Sequence, residues 1–143
     1  MSIYNHEHYP DPTAHEAMKN IAREERSNAV RRYRLLVYVC SPYAGDVKRN
    51  VSRARAYCKF TVKKNRTPIA SHLIYPQFLD DNNKEQRQIG LLCGLTILEK
   101  CSEIWVFGER ISEGMAIEIA CAERIGVPIT YFNEKCEVIK CGD

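Results

Sequence analysis

Four short apolar runs alternate with helical stretches, and this alternation limits the fold more than any other feature of the chain. The runs are residues 35–40, 67–72, 103–108 and 128–132. Between them, residues 46–65, 84–101 and the stretch ending at Gly126 repeat apolar side chains at three-and-four spacing, the period of one helical face. Strand and helix in alternation predict a parallel sheet with helices on both faces. The run 35–40 is apolar throughout, as a strand covered on both sides should be. The expected class is α/β: a flavodoxin- or Rossmann-like three-layer sandwich with a mostly parallel sheet of four to five strands. Val138 and Ile139 form a further short β-like segment.

With 143 residues the chain has room for one good core and not for two. Residues 1–12 are polar, with Pro10 and Pro12, and read as irregular. Thr13 and Glu16 have capping-box spacing, and a helix is expected from 13 to about 32. Its apolar stripe of Ala14, Ala17, Met18 and Ile21 is thin. Residues 1–33 are therefore expected to be an N-terminal helical arm used in oligomerisation, and 34–143 the domain proper. In the helix at 46–65, Val47, Val51, Ala54, Cys58 and Val62 form the expected buried stripe, with Asp46 favourable at its start. The helix at 84–101 is apolar around much of its circumference and is expected to be well buried.

Several function classes fall away. A formal charge of +3 is too mild for a DNA- or RNA-polymer binder, but it tolerates an anionic small ligand. No apolar run approaches a membrane span, and residues 1–12 lack the apolar core of a signal peptide. A cytoplasmic protein without a membrane partner is expected. The seven cysteines are odd in number, scattered and free of any CxxC pair, so neither a disulfide framework nor a zinc site is expected. His6 and His8 are read as part of a frayed polar terminus. No GxGxxG or P-loop pattern occurs, which disfavours a dehydrogenase or an ATPase. No cofactor and no metal are expected.

In parallel sheets the ligand sits beyond the carboxyl ends of the strands, where strand order reverses. Four segments should gather there. One is the loop of Ser41, Tyr43, Ala44, Gly45 and Asp46. Another is His72 with the long loop after it, which includes Asp80. The third is Gly108 to Arg110, and the fourth is the stretch 112–118. Gly114 reads as the tight turn out of the third strand. Met115, Glu118, Ala122 and Ile125 share one face of the next helix, which Gly126 and Pro128 end. A carboxylate among Met, Ala and Ile is unusual; most helix carboxylates are solvated. In an apolar pocket it can act as a nucleophile on an electrophilic carbon, and an anomeric carbon is the natural target.

The strand end Ser41-Pro42-Tyr43, the run Trp105 to Gly108, and the spacing Gly114, Met115, Glu118, Ala122, Gly126, Pro128 resemble the nucleoside 2-deoxyribosyltransferase-like superfamily. More narrowly, they are similar to its small branch in bacteria and their phages. The resemblance covers residues 35–132. It implies that Glu118 is the nucleophile that takes up the sugar and that Tyr43 lines the base pocket. It also implies oligomeric subunits whose sites a neighbour completes. Two positions depart from the pattern. The transferases carry an aspartate where this chain has Ser112, and another just before the third strand, where it has Cys101 and Ser102. Those aspartates handle the base and its proton, and serine is a poor acid at neutral pH. His72, Asp80 or Asp81 is left to fill that role.

Two readings follow. In the first, the protein is a hydrolase or deoxyribosyltransferase-like enzyme acting on the N-glycosidic bond of a nucleoside or nucleotide. Glu118 is then the nucleophile, His72 the acid, and Tyr43 and Ser112 hold the ligand. In the second, it is a non-catalytic, nucleotide-sequestering protein of the same fold, of use in phage defence or counter-defence. Arg87 and Arg110, with Lys48 or Arg49, then meet the phosphates.

Overall fold

The computed structural model describes residues 12–27 and 34–141. The chain divides into two compact units, Met1–Arg34 and Leu35–Asp143. The first contains α1 (Pro12–Ser27), with Thr13 inside the first turn rather than at a cap. Residues 1–11, with His6 and His8, and residues 28–32, expected to finish that helix, lie outside the described residues.

The second unit runs β1 (Leu36–Cys40), α2 (Val47–Lys63), β2 (Thr67–Ile69), α3 (Lys84–Lys100), β3 (Glu103–Phe107), α4 (Glu113–Ile125), β4 (Ile129–Phe132) and β5 (Val138–Cys141). Two 3-10 turns, Ser71–Leu73 and Tyr75–Gln77, lie between β2 and α3. The sheet order is β2-β1-β3-β4-β5. The first four strands are parallel, and β5 returns antiparallel to β4. The expected α/β sandwich with a mostly parallel sheet is what the chain adopts. Strand order reverses between β1 and β3, so a crevice opens at their carboxyl ends.

Side chains of a strand alternate between faces, and here the alternation divides the core in two. Tyr38, Cys40, Ile104 and Val106 pack with Leu98 of α3 and with Met115 and Ala122 of α4. Val37, Val39, Trp105 and Phe107 pack on the other face with Tyr57 of α2 and Phe132 of β4. That second face is aromatic. Phe107 stacks against Tyr57 at 4.4 Å and against Phe132 at 4.9 Å between ring centroids. Each such pair adds about 1 kcal/mol beyond the area it buries.

This stacking sets the rotation of α2 and corrects its expected stripe. Ala54, Tyr57 and Thr61 face inward, while Val47 and Val62 are exposed. The second correction concerns α3, which is not well buried. Gly94 and Leu98 are its buried residues, and Ile89 and Leu92 lie exposed. The helix approaches the rest of the unit along its glycines: Gly94 lies against Tyr38 and Ser71, Gly90 against Leu79. Its bulkier apolar residues are thereby turned outward. A third correction concerns the turn out of β3. Gly108, at φ 95°, makes it, and Gly114 lies inside α4. β2 is shorter than expected, and His72 sits in the 3-10 turn after it.

Candidate functional site

The site is built from the crevice upward. Ser112 caps α4: its hydroxyl accepts the Met115 N–H at 3.3 Å. Replacing it with alanine is expected to cost about 1 kcal/mol, read as a lower denaturant midpoint with an unchanged slope. One turn further on, Glu118 points inward and is only 3% exposed. Met115 and Ala122 beside it are fully buried, so the carboxyl group has apolar walls along its own helix.

β1 supplies the polar partners. The Tyr38 hydroxyl acts on the Glu118 carboxyl and holds its pKa down, and the same oxygen lies 2.8 Å from the Ser71 hydroxyl. The Cys40 thiol faces Glu118 Oε1 at 4.0 Å. Burial pushes the Glu118 carboxyl up to about 7, against the opposing pull of the Tyr38 hydrogen bond. Burial likewise raises Tyr38 and Cys40 well above their ordinary values, helped by the adjacent Glu118. The group that changes charge near neutral pH is therefore the carboxyl.

Above this cluster lies a cavity of about 520 Å³, within the range of small-molecule sites. Tyr43 stacks on His72 along its wall, with centroids 4.9 Å apart and planes at 19°. Burial lowers the His72 pKa although Asp81 pulls it up, so the imidazole is neutral at pH 7. Among the described residues, no three His, Cys, Asp or Glu side chains converge to hold a metal ion.

Of the residues singled out in the sequence, Glu118, Tyr43, Ala44, His72, Arg87, Ser112 and Gly114 line this cavity. Ser41, Gly108 and Arg110 line a separate recess of about 30 Å³ with Arg53 and Glu134. Gly45 sits in the turn before α2 at φ 99°, and Met115 lies in the core. Asp80 accepts the Asn82 N–H in a local turn at 2.9 Å; its neighbour Asp81 is the aspartate that lines the cavity. Sequence reasoning passed over Tyr38, Ser71 and Gly94. Tyr38 read as one more apolar strand residue. It is the middle residue of β1, and its pairing with Ser71 spans 33 residues, so local pattern gave no signal for it.

The comparisons with known proteins bear on fold and family. A 2-deoxyribosyltransferase from the psychrotolerant bacterium Bacillus psychrosaccharolyticus has a similar structure, with a TM-score of 0.55 at 18% identity. The match covers 73% of this chain and 77% of that one, and at this identity it is a match of fold. No curated protein matches the sequence. The family model described as Domain of unknown function (DUF7768) matches residues 35–132, and the chain belongs to that family.

Proposed function

We propose that the protein cleaves or exchanges the N-glycosidic bond of a nucleoside or nucleotide, with Glu118 as nucleophile. The observation that carries this reading is a buried carboxylate at a ligand-sized cavity that an aromatic stack also lines. A Glu118 oxygen bonds to the anomeric carbon. The carbon–nitrogen bond breaks with its electron pair staying on the base, which takes a proton relayed from solvent through His72. Water, or a second base, then attacks the anomeric carbon and frees Glu118. Tyr43 lines the base pocket, and Arg87 at the first turn of α3 meets an anionic substituent where the substrate has one.

The fold likeness to a transferase acting on deoxyribosyl groups supports the choice of substrate class. Membership of a bacterial or phage branch belongs to the same proposal, as does a cytoplasmic homo-oligomer. The exposed Ile89 and Leu92 of α3 and Ile117 of α4 suit a face between copies. Among the described residues, no helix is long and apolar enough to cross a membrane.

One observation favours the second reading, capture of a nucleotide without turnover. The Ser112 hydroxyl caps α4, and a serine hydroxyl is no acid at neutral pH. The two separate on incubation with a panel of nucleosides and 5′-nucleotides. Free base in the supernatant, absent with Glu118→Gln, supports the enzyme. Intact nucleotide recovered only after heating the protein supports capture and sinks the enzyme.

A further inference from the structure

A second residue of β1 meets the Glu118 carboxyl from outside the cavity. Side chains alternate along a strand, so Tyr38 and Cys40 pack on the same face of the sheet. Cys40 ends that strand, is 1% exposed and carries a free thiol. Its sulfur lies 4.0 Å from Oε1 of Glu118, at the long end for a thiol hydrogen bond, and the contact joins residues 78 positions apart. Glu118 lines the cavity and Cys40 does not. The thiol therefore approaches the carboxyl on the side away from the ligand space. Burial keeps it protonated at neutral pH, so it has one hydrogen to give.

A carboxylate has two oxygens, and nucleophilic attack uses one of them. A thiol is a weak donor. It can orient the other oxygen while taking little from the charge, whereas a strong hydrogen bond to the charged form would stabilise that form and blunt the nucleophile. We propose that Cys40 is a positioning residue: its thiol donates to Oε1 of Glu118, keeps that oxygen toward the sheet and leaves Oε2 to meet the anomeric carbon. This rests on the reading of Glu118 as nucleophile. A cysteine that only filled the core would behave as a small hydrophobe, indifferent to the charge of its neighbour.

The test reads the S–H stretching vibration by infrared difference spectroscopy, in a region free of other protein bands, and needs no substrate. Tyr38 is the other titratable group that acts on Glu118, and burial keeps it protonated as it does Cys40. Of these three, the carboxyl alone changes charge between pH 8.5 and pH 5. The wild-type difference between those pH values is taken, and the same difference for Glu118→Gln is subtracted to remove thiols that do not answer to Glu118. One thiol band is expected to remain, at lower frequency at pH 8.5 where the acceptor is charged, and Cys40→Ala is expected to abolish it. A double difference without a thiol band overturns the assignment. With a nucleoside that the protein cleaves, Cys40→Ala is expected to lower kcat roughly ten- to a hundredfold at unchanged KM, as misplacing a reacting group does. Cys40→Ser, which restores a donor, is expected to recover part of the loss. An unchanged kcat in Cys40→Ala overturns the positioning role and leaves the nucleoside reading intact. A thiol band that answers to Glu118, in a chain that releases base from no nucleoside or 5′-nucleotide, overturns the nucleophile reading and the positioning role with it.

Discussion

Glu118→Gln is expected to lower base release by at least about a thousandfold, as removal of a nucleophile does, and at the same time to stabilise the protein at alkaline pH. The sign follows from the direction of the shift. Burial raises the Glu118 carboxyl from 4.5 to about 7, so the folded state holds this proton more tightly than the unfolded one. The favourable contribution is complete below pH 4.5 and is lost as pH rises through about 7. Two to three pH units of displacement correspond to about 3 kcal/mol. Glutamine keeps the shape and an acceptor for Tyr38 but carries no charge. Its melting temperature is expected to exceed that of the wild type by on the order of 10 °C at pH 8.5, and the gap narrows as pH falls through 7 and closes below pH 4.5. Thermal melts across that range check it. A gap that does not change with pH would mean that Glu118 is not held at the cost of its charge.

Gly94→Ala is expected to be destabilising although alanine is the better helix former. The helix gains about 1 kcal/mol from the exchange. Against that, the new Cβ would stand 2.9 Å from the Tyr38 hydroxyl oxygen and 3.4 Å from both Cβ and Oγ of Ser71. Tyr38 is fully buried and has nowhere to retreat, and overpacking of this kind costs about 1–3 kcal/mol. The functional effect is the larger one. Pushing Tyr38 aside removes the hydrogen bond that holds the Glu118 pKa down, so the acid limb of the rate profile moves to higher pH. Gly114→Ala is the matched control. A Cβ there meets nothing within 4 Å, and stability is expected to hold or rise. Denaturant melts and a pH–rate profile of both variants separate a local clash from a general intolerance of α3 or α4 to side chains.

The layers of this fold were legible because strand and helix periods are written in the apolar residues. The four parallel strands and three covering helices fall where periodicity puts them. Rotation of a helix on the sheet was not legible. Val47 and Val62 are apolar at plausible core spacing, yet Tyr57 takes the inner face because Phe107 offers it a ring to stack on, a long-range contact that local spacing does not encode. The outward turn of Ile89 and Leu92 has the same origin in Gly90 and Gly94. At the site, Glu118 stood out as a carboxylate on an apolar face. Tyr43, His72 and Ser112 followed from their places at strand ends. Tyr38 and Ser71 did not, since a hydroxyl pair formed across 33 residues leaves no trace in local pattern. Asp80 and Asp81 are adjacent in sequence, and only the geometry of the turn separates the aspartate that closes it from the one facing the cavity.

The measurement that bears most directly on the role of Glu118 is the intact mass of the protein after acid quench of a reaction with a nucleoside it cleaves, followed by peptide mapping. The account predicts a fraction of the chain heavier by one sugar residue, with the added mass on the peptide containing Glu118 and absent from Glu118→Gln. Base release at the wild-type rate from a chain that never gains mass, with Glu118→Gln equally active, would contradict it.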